Sequence, residues 1–187
     1  MYAISASLLS PLFTLKDLTV VLLEAPIGFR LDDISATSLA RAWPRITLLQ
    51  IGSDMSKGIP SDTTLHALLA FAQFCPSLKQ LRLPLDARTV PEWEAFKLED
   101  KRPQQVSLSR LGGLSDSPIG DPFKVALFLS SVFPKLTSLG GVRRHPADDA
   151  PWDQALYMQW QTAEALLALL HRARDEERYW AERAGGQ

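Results

Sequence analysis

The sequence predicts an α/β fold: a solenoid of about five helix–strand repeats, with a parallel sheet on its concave face and a helix covering its C-terminal end. Two observations predict this fold. A short apolar pattern recurs five times at nearly constant spacing, and the clearest copies follow a stretch of helical periodicity that ends at a proline. Because a helix–strand unit of about 30 residues cannot bury its own apolar face, neighbouring units have to stack.

The recurring pattern is L-x-x-L-x-L, which is typical of the strand segment of leucine-rich repeats. Its second and third apolar residues are two apart, so in a strand they point to the same face. The two clearest copies are Ile46, Leu49, Ile51 and Leu78, Leu81, Leu83. The three weaker copies are Leu15, Leu18, Val20, then Leu108, Leu111, Gly113, and finally Leu136, Leu139, Gly141. The first members lie at positions 15, 46, 78, 108 and 136, so the intervals are 31, 32, 30 and 28 residues.

Helical segments precede the strand patterns. Asp62 is expected to cap one helix, whose apolar residues over 65–72 follow i, i+3, i+4, i+7 spacing. Asp121 and Pro122 are expected to begin another helix, over 125–132. The prolines expected to end the helices and to turn the chain into the strands are Pro44, Pro76 and Pro134.

An ordinary doubly wound α/β domain is the alternative, because it also alternates helices with strands. It is less well supported by the sequence. No glycine-rich phosphate loop follows a predicted strand. The apolar triplets are also shorter than the continuous apolar runs that strands buried on both faces require.

Residues 1–151 are assigned to the repeats and 152–187 to a capping helix and tail, together forming one structural domain. The capping helix is predicted from an apolar stripe of Ala163, Leu166, Leu167 and Leu170, next to oppositely charged i, i+4 pairs. At the other end, apolar residues 3–15 run directly into the first strand. This predicts a bare edge, which a partner or a segment upstream of Met1 would have to cover.

The composition of the chain limits the kinds of binding partner and the cellular compartments that we expect for the protein. Twenty basic and twenty-one acidic residues give a net charge of −1, so no overall field attracts nucleic acid or anionic lipid. The single cysteine cannot form an internal disulfide. The apolar N-terminus is interrupted at Lys16 and Asp17, and reads as neither a signal peptide nor a membrane helix. We therefore expect a cytoplasmic or nuclear protein that binds neither nucleic acid nor membrane.

The sequence contains no recognisable catalytic or metal-binding constellation. His66, His145 and His171 are far apart, and none has a second ligand at zinc-site spacing. Cys75 could act as a nucleophile with His66, but its place before the repeat proline favours a small buried hydrophobe. We expect no catalytic residue, no metal and no cofactor, and hence a protein that is not an enzyme. Trp93 and the basic cluster 143–145 could contact a partner, but packing of Trp93 within the protein and a locally neutral loop near Asp148 and Asp149 are the favoured interpretations.

The concave face of the sheet is the predicted binding surface, because extended concave surfaces are how solenoids bind. Its side chains should be those that alternate with the buried members of each triplet. They are Asp17, Thr19, Leu48, Gln50, Gln80, Arg82, Arg110, Gly112, Ser138 and Gly140. Arginine suits carboxylate and phosphate recognition, so an acidic or phosphorylated peptide is a candidate ligand. The alternative is that these are simply solvated strand residues.

Segments around three prolines resemble the cysteine-containing leucine-rich repeats of F-box proteins: Trp43-Pro44, Cys75-Pro76-Ser77-Leu78 and Phe133-Pro134-Lys135-Leu136. A closer likeness is to the repeat region of a fungal (basidiomycete) F-box family. It rests on the order and spacing of segments 65–83, 115–119 and 125–139, followed by Trp160, Arg172 and Glu176. The resemblance extends from about Leu15 to Trp180.

The resemblance implies a substrate receptor of a cullin-type ubiquitin ligase, in which the F-box binds the ligase adaptor and the repeats hold the protein to be ubiquitinated. The chain departs from that family because no F-box-like segment precedes the first repeat. The adaptor is therefore an expected partner only if an F-box lies upstream of Met1. The protein target is not identified by the sequence. The alternative is a free-standing leucine-rich-repeat scaffold unrelated to ubiquitin.

Overall fold

The computed structural model describes residues 4–25, 27–52, 61–92, 103–114, 116–140 and 154–184. A 3₁₀ helix spans Ala6–Thr14. The strands are β1 Ile4–Ser5, β2 Val20–Leu23, β3 Phe29–Arg30, β4 Leu48–Ile51, β5 Gln80–Arg82, β6 Arg110–Gly112 and β7 Ser138–Leu139. The helices are α1 Asp33–Ala42, α2 Leu65–Phe74, α3 Pro122–Val132 and α4 Gln154–Ala184.

Five strands form one parallel sheet in the order β2-β4-β5-β6-β7. Each of these strands pairs with the next strand of the same sheet along the chain, so β2 pairs with β4 and β3 lies outside the sheet. The aligned residues, from one edge to the other, are Val20, Leu48, Gln80, Arg110 and Ser138. The predicted α/β class and parallel sheet are therefore confirmed.

The predicted register of the first strand is wrong. Leu15 follows the 3₁₀ helix as its C-cap residue, and residues 16–17 form a turn, so the strand begins at Val20. Val20 pairs with Leu48, and therefore lies on the face opposite the buried one. Leu15 and the turn at residues 16–17 occupy the positions that the pattern gave to the first strand residues. The apolar triplet of this strand is instead Leu18, Val21 and Leu23.

The 3₁₀ helix covers part of the end of the core that the sequence predicted to be bare. Leu9 is buried, and the Phe13 ring packs edge-on against Trp43 with centroids 6.1 Å apart. The Trp43 indole N–H donates to the Leu12 carbonyl over 3.2 Å. Leu8 and Leu15 on the same segment remain exposed. The cover is therefore incomplete.

A second set of parallel pairs lies outside the five-stranded sheet. β1 pairs with β3, and isolated bridges join Asp32 to Asp62, Thr64 to Asp86 and Ala87 to Ile119. Except for β1, these segments follow strands of the sheet along the chain. Successive parts of the chain are thus paired with one another both within the five-stranded sheet and outside it.

Helices α1, α2 and α3 begin at residues whose side chains cap the first backbone N–H groups. One of the two predicted caps is wrong. The Asp121 carboxylate accepts from the backbone of α3, with Pro122 in the first turn as predicted. Asp62 does not cap α2. That role belongs to Thr64, whose hydroxyl accepts from the His66 N–H, while Asp62 forms an ion pair with Arg30 at 2.8 Å. Asp62 lies two residues too early, and its carboxylate is held by a residue distant in the chain.

The core lies between one face of the sheet and helices α1–α3. Strand residues Leu49, Ile51, Leu81, Leu111 and Leu139 are buried there, together with Leu83 directly after β5, and helix residues Leu39, Leu68, Phe71 and Leu129 belong to the same cluster. Gly113, the third member of the triplet that begins at Leu108, is compatible with this packing. Gly113 has φ of +83°, and a Cβ there would meet the Leu83 backbone at 3.0 Å. No other residue type meets both requirements easily.

The C-terminal helix is confirmed. α4 packs along α3, and its residues Trp160, Ala163 and Leu167 are buried against the end of the core. The Glu164 carboxylate accepts the Leu139 backbone N–H over 3.0 Å. A side chain of α4 thus satisfies a donor of the edge strand β7.

Candidate binding face of the sheet

One face of the five-stranded sheet is not covered by any helix in the part of the chain that the structure describes. Parallel sheets are usually buried on both faces, so an uncovered face is a candidate binding surface. We call it the open face. It comprises Val20, Leu22, Leu48, Gln50, Gln80, Arg82, Arg110, Gly112, Ser138 and Gly140, which alternate with the buried strand residues or directly follow β7.

Six predicted site residues with side chains lie together on the open face: Leu48, Gln50, Gln80, Arg82, Arg110 and Ser138. Two others do not. Asp17 lies in the turn before β2 and forms an exposed ion pair with Arg45 at 2.7 Å. Thr19 precedes the strand, and its carbonyl accepts the N–H of Thr47 over 2.7 Å. Asp17 and Thr19 lie outside the open face because the first triplet was aligned three residues too early.

Sequence reasoning missed Val20 and Leu22, which take those two places. Their side chains are 52% and 58% exposed, high values for aliphatic residues in a sheet. Val20 pairs with Leu48, so three aliphatic side chains are neighbours at the β2–β4 end of the open face. The signal was present in the sequence, because aligning the first copy on Leu18 gives an interval of 28 residues to Ile46, equal to that of the last copy.

A shallow depression of about 200 Å³ lies at the centre of the open face. Its polar lining comes from Gln50, Gln80, Arg82 and Arg110, and its remaining walls from leucines and glycines. Two of the glycines leave room for the arginine stems. A Cβ on Gly112 would lie 3.5 Å from the Arg82 Cγ, and one on Gly140 would lie 3.7 Å from the Arg110 Cγ.

The charges of the open face are unevenly placed. Arg110 is exposed, and its guanidinium forms no ion pair or hydrogen bond with another described residue. At the opposite end, the Gln50 amide donates to the carboxylate of Glu24, which follows β2, over 2.5 Å. The face therefore has an apolar end bordered by an acid and a polar end with two arginines.

The described residues contain no group of three or more His, Cys, Asp or Glu side chains that could hold a metal ion. Cys75 is fully buried as predicted, and burial raises the pKa of its thiol to about 12. The Cys75 Sγ lies 3.4 Å from the Ala40 carbonyl, to which it donates. The thiol is therefore a packed hydrogen-bond donor. Trp93, the basic cluster 143–145 and Gly141 lie outside the described residues.

Within the described ranges, we find no helix with the length and apolar character that crossing a membrane requires. Comparison with models of protein families, with curated proteins and with solved structures found no match. What the open face can bind is therefore argued from its geometry and chemistry.

Proposed function

We propose that the chain is a leucine-rich-repeat solenoid that binds a protein through the open face. The observation that carries this proposal is the uncovered face of an all-parallel sheet. Burying such a sheet on both faces is the usual solution, because parallel strands are rich in apolar residues. Here the exposed positions are filled by amides, arginines and three aliphatic residues, a composition suited to contact with another protein.

Hydrogen bonds between successive units support the solenoid. In front of β4, β5, β6 and β7, a backbone N–H donates to the carbonyl of the residue at the same place in the preceding unit. These pairs are Thr47 to Thr19, Lys79 to Thr47, Ser109 to Lys79 and Thr137 to Ser109, at 2.7 to 3.1 Å. Such a ladder links each unit mainly to its neighbours, as stacking of units requires.

Buried side chains make a second set of links between units. The Trp43 indole, the Cys75 thiol and the Gln105 amide each donate to backbone carbonyls roughly one unit earlier in the chain. The closest contacts are Trp43 to Leu12 at 3.2 Å, Cys75 to Ala40 at 3.4 Å and Gln105 to Leu78 at 2.6 Å. Because they satisfy carbonyls that would otherwise be buried without partners, these contacts favour stacked repeats over a doubly wound domain.

The size of the open face favours a protein ligand over a small molecule. Its central depression, at about 200 Å³, is smaller than the roughly 300–1,000 Å³ of typical small-molecule pockets. Five strands about 4.8 Å apart make a surface nearly 20 Å wide, which suits an extended segment of a partner. The net charge of −1 gives no general attraction to nucleic acid. We therefore propose a binding module without enzymatic activity.

The biological setting that we propose comes from the resemblance to fungal F-box proteins. On that basis the chain is the substrate-recognition part of a ubiquitin-ligase receptor in the cytoplasm or nucleus, and the open face holds the target. A free-standing scaffold unrelated to ubiquitin is the alternative. Sequencing transcripts upstream of Met1 separates the two, because only an in-frame F-box would supply the contact with the ligase adaptor.

The binding proposal is tested with partners selected from a displayed protein-fragment library on the full chain. Leu22→Asp places a charge on the open face, whereas Ile34→Asp changes a residue that is 78% exposed on α1, away from that face. We expect Leu22→Asp to weaken binding at least about tenfold and Ile34→Asp to leave it unchanged. Equal effects of the two variants on correctly folded protein would refute binding through the open face.

A further inference from the structure

The two ends of the open face differ in chemistry, and their separation is set by the sheet. We infer that the open face binds an extended acidic peptide segment, with an apolar side chain on Val20, Leu22 and Leu48 and a carboxylate at Arg110. The inference rests on the proposed function and specifies its ligand. It follows from the exposed aliphatic patch, from the Arg110 guanidinium, which has no partner among the described residues, and from the acid beside the patch.

The carboxylate end is built around Arg110. Its guanidinium presents a planar set of donors that matches a carboxylate, and it has no competing acid among the described residues. The register places Arg110 opposite Ser138, a small residue, and its stem runs beside Gly140. Small side chains on the neighbouring strand leave the guanidinium accessible from above the sheet. Arg82, two residues along from the partner of Arg110 in β5, adds a second positive charge nearby.

The apolar end selects against a second acid. Val20, Leu22 and Leu48 lose exposed surface when an aliphatic or aromatic side chain lies on them. Glu24, whose carboxylate accepts from Gln50, borders this patch and repels a negative charge there. The carboxylate of the peptide is therefore directed towards β6, and the apolar side chain towards β2 and β4.

The sheet fixes the distance between the two side chains of the peptide. Leu48 in β4 and Arg110 in β6 are two strand spacings apart, and Val20 in β2 is one spacing further. At about 4.8 Å for each spacing, the separation is roughly 10–14 Å. An extended peptide spans about 3.3–3.6 Å per residue. The apolar residue and the acid should therefore be about three to four positions apart, in either chain direction.

The experiment starts from random peptides of about 12 residues displayed on phage and selected on the full chain. We expect enrichment of peptides in which an apolar residue and an Asp or Glu are about three to four positions apart. The leading peptide is then synthesised with a fluorescent label, together with versions in which the acid is replaced by its amide or by phosphoserine. Affinity is measured by fluorescence anisotropy at two salt concentrations.

Arg110→Gln is compared with Lys124→Gln, which makes the same charge change at an exposed position on α3. We expect Arg110→Gln and the amide peptide each to weaken binding about tenfold or more, with little effect of Lys124→Gln. Gly140→Asp is a second variant, because its backbone φ is not positive and a Cβ there has only ordinary contacts. Its carboxylate should pair with Arg110 and also reduce binding.

Four outcomes would overturn the inference. Selected peptides that lack an acid, or that bind Arg110→Gln as well as Lys124→Gln, would show that no carboxylate is recognised. If the peptides that do not depend on a carboxylate still bind the Leu22→Asp variant more weakly than the wild type, only this inference fails. Binding through the open face then stands. If Leu22→Asp has no effect either, the proposed function fails as well. Binding of the phosphoserine peptide alone would replace the carboxylate by a phosphate, and a selection that enriches nothing would count against a peptide ligand.

Discussion

The indole N–H of Trp160 donates to the backbone carbonyl of Ser117, 2.7 Å away and 43 residues earlier in the chain. Trp160 is buried in α4, and Ser117 lies in the segment between β6 and α3. The Ser117 hydroxyl in turn accepts the Leu85 N–H over 2.9 Å. The contact therefore joins the C-terminal helix to two further parts of the chain, and closes the end of the core with a large apolar side chain whose polar atom is satisfied.

Replacing Trp160 should destabilise the protein strongly. Trp160→Ala removes a fully buried side chain, and we expect a loss of about 3–5 kcal/mol in the free energy of unfolding. Trp160→Phe keeps much of the packing and loses mainly the hydrogen bond, so a smaller loss is expected. Urea unfolding followed by circular dichroism measures both. Trp180→Ala is the matched control, because Trp180 is 65% exposed on the same helix and should change stability by less than about 0.5 kcal/mol. Equal losses at the two positions would contradict the role of Trp160 in closing the core.

Cys75 should resist alkylation in the folded protein. Its thiol is buried and donates to the Ala40 carbonyl, and burial raises its pKa to about 12, so little thiolate is present at neutral pH. Mass spectrometry after iodoacetamide treatment at about pH 8 should show no labelling until denaturant is added. In a Lys124→Cys variant the introduced exposed cysteine should be labelled at once, which provides an internal control. Rapid labelling of Cys75 without denaturant would mean that the thiol is accessible.

Gln105 should be more important for stability than its polar side chain suggests. Its buried amide donates to the carbonyls of Leu78 and Cys75, at 2.6 and 3.1 Å, and its carbonyl accepts the N–H of Leu108 at 2.6 Å. Gln105→Leu leaves several buried backbone groups unsatisfied, so we expect a loss of about 2–4 kcal/mol in urea unfolding. Gln104→Leu changes the adjacent, exposed amide, which has one longer contact with Ser131. A comparable loss at Gln104 would argue against this explanation.

Much of the fold was predictable because its determinants are local. The triplets at Ile46 and Leu78 and the cap at Asp121 depend on spacing and residue type alone, and these predictions agree with the structure. The first strand was misplaced because a 3₁₀ helix lies before it, and the sequence over 6–14 has no pattern that distinguishes this helix from an extended segment. The cap of α2 was missed because Thr64 and Asp62 are both suitable cap residues, and a contact with distant Arg30 occupies Asp62.

The sequence predicted which arginines and amides lie on the open face. It did not predict the chemical difference between the two ends of that face. Arg82 and Arg110 follow from strand alternation, which the sequence reveals. The space that Gly112 and Gly140 leave for the arginine stems depends on which strands are neighbours. The same holds for the link between Gln50 and Glu24 at the apolar end. These contacts run across strands and are set by register, so spacing along one strand does not contain them.

His171 should make the protein less stable at acidic pH. It lies in α4 with its Nε2 buried and without a hydrogen-bond partner in the described part of the chain. Burial lowers its pKa, and the nearby Arg174 lowers it further, while Asp175 acts in the opposite direction. Since the pKa is lower in the folded state, the unfolded chain takes up the proton first. Stability is therefore complete well above the unfolded pKa of about 6.5, and falls as the pH drops from there towards the folded value.

We expect the urea midpoint of the wild-type protein to decrease between about pH 7.5 and 5.5, and that of His171→Leu to decrease less. His66→Gln is the control, because His66 is exposed at the start of α2. Asp32 and Asp86 also have lowered pKa values, through hydrogen bonds with Ser35 and Arg88, but their contribution is lost only below about pH 4 and does not overlap this window. An identical pH dependence in the wild type and His171→Leu would show that His171 does not titrate differently in the folded and unfolded states. A reduced dependence in His171→Leu but not in His66→Gln would assign the acid sensitivity to His171.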